Sequence, residues 1–385
     1  MSSIDKQPNG HYKTRYRTPD GRSRAKTFGR KADAERFLTS VDHSKLTGAY
    51  IDPRGGKVTF GEYAARWREV QVHRPSTAVL LETNLRRHVL PFLGHRPLAA
   101  IRTSEVQAWA KGRSAVLEPS TVELVYRYVV AILRSAVSDR LIAVSPAIGI
   151  RLPRAEFRRV EPLATEVIEA LIAAVPDRYR ALVVLAAGTG MRQGECFGLT
   201  LDRVDFLRRQ VTVDRQLVLL PGSAPVLAPP KTQASYRTIP LPQVVVDELA
   251  AHLTRFPVGP DGFVFTSSTG KPLSRTRFSD VWRPAVRAAG APAGTGFHAL
   301  RHYYASLLIR HSESVKVVQA RVGHASAAET LNTYSHLWPD SEDRTRAAVQ
   351  AALGGLGSVS WDRPAWANMS EGPESTCGVV DSISE

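Results

Sequence analysis

Between His298 and His336 the chain gathers side chains that together suit a phosphodiester. It reads His298-Ala-Leu-Arg301-His302, then Val322-Gly323-His324, then Thr333-Tyr334-Ser335-His336. On a helix His298 and Arg301 are i and i+3 and share a face. A further helical segment and a glycine turn would return His324 to the same point, and Tyr334 follows ten residues later. A guanidinium matches the non-bridging oxygens of a phosphate. Imidazoles hold or move protons, and a phenol attacks phosphorus once it loses its own. Two upstream residues could join them. Arg192 lies in Gly190-Met191-Arg192-Gln193-Gly194-Glu195, with Glu195 at i+3 as its ion-pair partner or its brace. Lys231, in Pro230-Lys231-Thr232, falls between two strand-like runs, where a mobile cation could reach into a groove as a proton donor.

Each of these has an ordinary use when taken alone. An arginine after an apolar helix is commonly a salt-bridged structural residue, a hairpin-tip lysine is commonly solvated, and a buried histidine is commonly just hydrogen-bonded. His298 and His302, at i and i+4, also have the spacing of a helical metal site that His324 or His336 could complete. Ala299 stands where a His-Glu-x-x-His site needs its glutamate, so no metal is expected.

The chain has 385 residues and a formal net charge of +15, which makes a polyanion the first partner to consider and an anionic membrane surface the second. Its two cysteines, Cys196 and Cys377, exclude a disulfide framework and a cysteine-based zinc motif, and fit a reducing cytoplasmic setting. No signal peptide and no apolar run of about 20 residues is seen, so no membrane association is expected. There is no Gly-x-x-x-x-Gly-Lys-Ser/Thr loop, and no cofactor is expected.

The elements that would position these groups follow from periodicity. Residues 1 to 30 carry eight Lys/Arg against two Asp. Tyr12, Thr14 and Tyr16 alternate with His11, Lys13, Arg15 and Arg17; after a Pro19-Asp20-Gly21 turn, Arg22, Arg24 and Lys26 alternate again. This predicts a small antiparallel sheet with all of these cations on one DNA-facing side, followed by a helix from Lys31. Pro53-Arg54-Gly55-Gly56 reads as a linker. A capping box at Thr59 and Glu62 opens the first of four helices, and the others begin near Pro75, Thr103 and Ser120. The second is expected to end near Pro91, and Ser120 to be capped with Glu123. A basic linker from Ser145 to about Pro162 contains Arg151, Arg154, Arg158 and Arg159. Helical segments at Val167–Val175 and Tyr179–Ala187, strand-like runs at Gln210–Val218 and Tyr236–Leu241, and further helices to about Leu353 form one α+β domain. From Gly354 the composition predicts a disordered tail.

As an ordered set, Arg192, Lys231, His298-x-x-Arg301, Gly323-His324 and Tyr334 resemble the catalytic domain of the tyrosine recombinase (phage integrase) family, over roughly Pro162 to Leu353. Arg192 sits in the family's Gly-x-Arg-x-x-Glu context, and Val322-Gly323-His324 stands for its Leu-Gly-His. Tyr236, Tyr303 and Tyr304 lack the nucleophile's context. The departures, Ala299 where Asp is frequent and Val322 where Leu is usual, touch no reacting group. The regions before it also resemble the family.

The resemblance implies a multidomain chain: an arm-type DNA-binding domain of β-sheet plus helix (1–50), an all-α core-site-binding, SAM-like domain (58–150), a mainly α catalytic domain (160–355) and a tail (356–385). It implies that Tyr334 is the nucleophile, Arg192 and Arg301 hold the phosphate, Lys231 protonates the leaving group and His324 hydrogen-bonds the phosphate. His298 is the expected base, with Glu195 and His336 supporting. Lys13, Arg15, Arg17, Arg22, Arg24 and Lys26 would contact DNA. The implied partners are double-stranded DNA with core and arm sites, a homotetramer on DNA, and an excisionase and a host DNA-bending protein, in the bacterial cytoplasm at the nucleoid. The expected function is site-specific integration and excision of a phage or integrative element through a 3′-phosphotyrosyl intermediate. The alternatives are a Xer-like dimer resolvase, a type IB-like topoisomerase, and a sequence-specific DNA-binding protein without catalysis. Residues 1–48 argue against the resolvase; the complete catalytic set argues against the last. The helix at about Arg344–Leu353 is expected to dock on a neighbouring protomer.

Overall fold

The computed structural model describes residues 2–19, 21–48, 50–52, 55–154, 159–220, 222–259, 261–338 and 342–354. The expected tail 356–385, Asp20 of the first turn, Pro53 and Arg54 of the first linker and Arg158 of the second lie outside them. Two compact units account for the chain, one of residues 1–158 with 218–226 and one of residues 159–217 with 227–385.

The N-terminal unit opens with three antiparallel strands in the order β1 (Ser3–Lys6), β2 (Tyr12–Arg17), β3 (Ser23–Phe28), followed by α1 (Lys31–Leu46). Tyr16 of β2 meets Leu38 and Val41 of α1 and Tyr50 in a small core. The register corrects the expectation of a single cationic face. Arg17 pairs with Ser23, Arg15 with Ala25 and Lys13 with Thr27, whereas Arg24 pairs with Tyr16 and Lys26 with Thr14. Directly paired residues share a face, so Arg24 and Lys26 lie on the side of Thr14 and Tyr16. There Arg24 is ion-paired with Asp52, and the Lys26 ammonium sits 4.7 Å from the Phe37 ring centroid. Lys13, Arg15 and Arg17 hold the opposite side.

The helical part of the same unit comprises α2 (Phe60–Glu69), α3 (Pro75–Asn84), α4 (Leu90–Leu93), α5 (Thr103–Ser114) and α6 (Pro119–Ser138). Thr59 and Glu62 form the expected capping box on α2. The second helix does not stop at Pro91: α3 runs through a π-turn at Leu85–Val89 into α4, where Pro91 occupies an early position whose amide needs no partner. Ser120 does not cap α6. Pro119 starts that helix, and Glu123 instead pairs with Arg127 one turn on. Phe60, Leu81, Val106, Val129 and Ile132 close the core of these helices.

After residue 158 the chain contains α7 (Thr165–Ala174), α8 (Asp177–Thr189), α9 (Gln193–Phe197), β4 (Val204–Asp205), β5 (Gln210–Val213), β6 (Gln216–Val218), β7 (Val226–Ala228), β8 (Arg237–Pro240), α10 (Gln243–Arg255), α11 (Arg275–Ala288), α12 (Ala299–Arg310), α13 (Val315–Val322), α14 (Ala327–Tyr334) and α15 (Glu342–Leu353). The expected run Gln210–Val218 is two strands, broken at Asp214-Arg215. β5 lies between β4 and β8, and β6 pairs with β7. Helix α8 is apolar nearly all round because it packs against both α10 and α12. It ends at Gly190, whose φ of +63° is the left-handed cap that glycine adopts without strain. Among the described residues no helix is long and apolar enough to cross a membrane.

Candidate active site

Four local structures deliver the site. The turn after α8 carries Arg192, the α12 N-terminus carries His298, Arg301 and His302, the Gly323 turn after α13 carries His324, and the last residue of α14 is Tyr334. Gly323 ends α13 with φ +70°, and a Cβ there would lie 3.1 Å from the Ala234 carbonyl oxygen, so the turn needs glycine twice over.

Glu195 is the electrostatic keystone. Its carboxylate accepts from Arg192 Nη1 at 3.0 Å and, in a fork, from Arg237 Nη1 at 3.2 Å and Nη2 at 2.8 Å. It also reaches back to the Arg192 amide at 2.8 Å. Burial alone would push this carboxyl up; the hydrogen bonds and charges of Arg237 and Arg192 outweigh it and hold the pKa below the ordinary 4.5. Arg192 also donates to the Gly323 carbonyl at 2.8 Å and to Ser235 Oγ at 3.3 Å, which ties the first and third parts of the site together. Arg301 is 2% exposed and donates to the Gly190 carbonyl at 2.9 Å. Burial, with Arg192 and Arg237 nearby, brings its pKa down to about 9, so it stays charged at neutral pH. Three guanidiniums against one carboxylate leave two positive charges around this point. That complements the two negative charges of a pentacoordinate phosphorus transition state.

Tyr334 is 1% exposed, and burial pushes its phenol up to about 12. At pH 7 the phenol is therefore protonated and must lose its proton before it can attack. Its hydroxyl is 2.8 Å from His302 Nδ1. The expected base, His298, is therefore not the histidine found within hydrogen-bond distance of that hydroxyl. His298 is the residue just before α12, stands exposed at the lip of the site, and touches His302 edge-on with ring centroids 4.8 Å apart. Lost hydration where the ring meets its neighbours, then the charges of His302, Arg301, Arg192 and His324, holds its pKa below the ordinary 6.5. His324 stacks on Tyr334 at 6.1 Å and 12°, with Nδ1 2.9 Å from Thr330 Oγ1 and Nε2 3.9 Å from Glu329. Its pKa also falls to about 4, mainly from burial.

Lys231 is exposed, in the segment entering Gln233–Ser235. Its neighbour Thr232 shares a 2.9 Å hydroxyl contact with Ser235, which in turn touches Arg192. His336 has its Nε2 2.9 Å from the Val160 carbonyl oxygen, which tethers the chain just after Tyr334. Among the described residues no group of three His, Cys, Asp or Glu is arranged to hold a metal ion.

Sequence reasoning missed Arg237, Ser235 and the contact of His302. Arg237 was legible only as one more basic residue in a strand. It also missed a groove of about 1050 Å³ beside Arg192 and His298, lined by Arg275, Arg283 and Arg287 of α11 over a floor that includes Phe278 and Trp282.

Three family models match in order along the chain. They are the phage integrase N-terminal domain at residues 2–47, the phage integrase N-terminal SAM-like domain at 59–112 and the phage integrase family at 161–340. The putative prophage phiRv2 integrase of Mycobacterium tuberculosis is 28% identical over 355 residues, covering 90% of this chain and 93% of its own. The integrase of Mycobacterium phage L5 is 26% identical over 84% of this chain and 90% of its own. Among solved structures, the Tn1549 transposon integrase in complex with a circular intermediate DNA aligns with a TM-score of 0.67 at 22% identity, over 77% of this chain and 99% of that one. A lambda integrase tetramer bound to a Holliday junction aligns with a TM-score of 0.57 at 18% identity, over 88% and 98%. The shared fold, and three matching domain models in one order, show that the chain belongs to the phage integrase family of tyrosine recombinases.

Proposed function

We propose that this protein integrates and excises a mobile genetic element by site-specific recombination, through a covalent 3′-phosphotyrosyl intermediate on Tyr334. The observation that carries this reading is a phenol enclosed among Arg301, His302 and His324, with Arg192 and Arg237 clamped by one buried carboxylate close by. Tyr334 Oη attacks the scissile phosphorus and the 5′-oxygen departs. Arg192 and Arg301 stabilise the non-bridging oxygens, where fixed cations contribute most. His298 and His324 hydrogen-bond the phosphate, and Lys231 protonates the 5′-oxygen as general acid. One phosphodiester is exchanged for another ester of similar energy, so the reaction as written needs neither ATP nor metal.

The arginine-lined groove beside His298 suits the DNA backbone on its way to the tyrosine. Residues 1–50 act as the arm-site domain and 58–150 as the core-site domain, so one protomer bridges two DNA sites. Four protomers act on a Holliday junction, as the lambda integrase tetramer binds one. α15 docks on a neighbour, and an excisionase and a DNA-bending protein set direction, in the bacterial cytoplasm at the nucleoid. The matched N-terminal integrase domain favours an integrase over a dimer resolvase.

The test is covalent trapping. Protein is mixed with a nicked attachment site in EDTA without ATP and run on a denaturing gel. A shifted band that Tyr334→Phe abolishes while keeping specific binding is expected. No band on a site the protein binds would move the weight to a non-catalytic DNA-binding role.

A further inference from the structure

We propose that His302 is the catalytic base that takes the proton from Tyr334. The inference rests on the phosphotyrosyl reading above and names the group that activates its nucleophile. His298, His302 and His324 gather near the tyrosine, and geometry separates them. His324 lies nearly parallel to the phenol ring, 12° between planes with centroids 6.1 Å apart, and its Nδ1 is 2.9 Å from Thr330 Oγ1. Its Nε2 lies 3.9 Å from the Glu329 carboxylate, so its two ring nitrogens are directed to Thr330 and Glu329. His298 sits at the exposed lip and meets His302 edge-on. Among the described residues it is His302 that sets a ring nitrogen 2.8 Å from Tyr334 Oη.

The placement has a helical cause. His302 lies four residues, about one turn, beyond His298, deeper along α12. Arg301, between them in sequence, is rotated about 100° away and donates to Gly190 instead. With its own proton on Nε2, His302 accepts the phenolic O–H at Nδ1. Burial, then the charge of Arg301, holds its pKa below the ordinary 6.5, which keeps it neutral and able to accept at physiological pH. The titratable and charged groups that face it are His298 from the α12 N-terminus, Arg301 from its own helix, His324 from the turn after α13 and Tyr334 from α14. His336, on the segment that follows, is committed to Val160.

The step balances. The Tyr334 proton moves to His302 Nδ1, the Oη–P bond forms, the P–O5′ bond breaks, and the 5′-oxygen takes its proton from Lys231. When the 5′-hydroxyl of the incoming strand attacks the phosphotyrosine, its proton passes back to Lys231, the P–Oη bond breaks, and His302 returns its proton to the departing phenolate. This leaves His298 free for the phosphate.

The test uses the full-length protein on a double-stranded attachment site carrying either an ordinary scissile phosphate or a 5′-bridging phosphorothiolate. Single-turnover formation of the covalent complex is followed across pH. His302→Asn keeps an acceptor oxygen near the Nδ1 position and removes the basicity. It should bind DNA normally and cleave about 100-fold or more slowly, the usual size of a lost general base. The phosphorothiolate should not repair this defect, because its thiolate departs without an acid but still needs a deprotonated nucleophile. Lys231→Ala, in contrast, should be repaired. Added imidazole should partly restore His302→Ala, in proportion to its free-base fraction. A His302→Asn rate within threefold of wild type, repair by the phosphorothiolate, or a His302→Ala defect that imidazole leaves untouched would each overturn the assignment. A Tyr334-dependent band from wild type alongside any of these keeps the underlying reading intact; no such band on a bound site would remove both.

Discussion

Replacing Glu195 with glutamine should destabilise the C-terminal unit by about 3–5 kcal/mol, the usual consequence of removing one partner from a buried ion pair. The carboxylate is 3% exposed and the Arg237 side chain 5% exposed, so water cannot take over its role. Arg192, 34% exposed, can partly rehydrate. Glutamine preserves the shape, but its NH₂ group would face a guanidinium and no negative charge would separate the cations. For a unit of this size each kcal/mol lowers Tm by about 2–4 °C, so a fall of about 6–20 °C is expected in calorimetry at pH 7.5. The pH dependence adds a second arm. The folded pKa of Glu195 is depressed below 4.5, so its stabilisation is fully present above 4.5 and lost as pH falls through the folded value. Wild type and variant should therefore converge in acid. Adding Arg237→Met should recover part of the loss, because it removes the unpaired cation. A variant that melts within about 1 °C of wild type at pH 7.5, an ordinary surface-substitution effect, would refute the keystone role of Glu195.

Three other outcomes follow from the same geometry. Lys13→Ala, Arg15→Ala and Arg17→Ala should each weaken arm-site binding and lower the salt slope by about one, whereas Arg24→Ala should leave that slope unchanged and lower the melting temperature through loss of the Asp52 pair; equal salt effects at both sets would contradict the strand register. Gly190→Ala should cost about 1–3 kcal/mol in urea unfolding, because its Cβ would meet the buried Tyr304 ring at 2.5 Å at a φ of +63°; wild-type stability would show that the turn yields. His324 is buried with a pKa lowered from 6.5 to about 4, so the stability it confers is complete above 6.5 and is lost as pH falls toward 4; His324→Gln should flatten the urea midpoint across that window, and an unchanged slope would sink the linkage.

The sequence by itself determined the parts whose geometry is local. The i, i+3 spacing of His298 and Arg301, the capping box at Thr59 and Glu62 and the glycine turn before His324 are all set within one or two helical turns. So was the ordered set of candidate residues that carries the resemblance to the family. The tertiary structure decided what depends on parity and rotation. Alternation fixes faces within a strand, but which cations share a face across β2 and β3 depends on the number of residues in the turn, and a change of one would flip the pairing. Which histidine meets Tyr334 depends on how α12 is rotated against α8 and α13, at about 100° per residue, a packing outcome that no short motif encodes. Arg237 entered the site for the same reason: 42 residues from Glu195, it becomes a partner because β8 is laid beside β5 in the folded sheet.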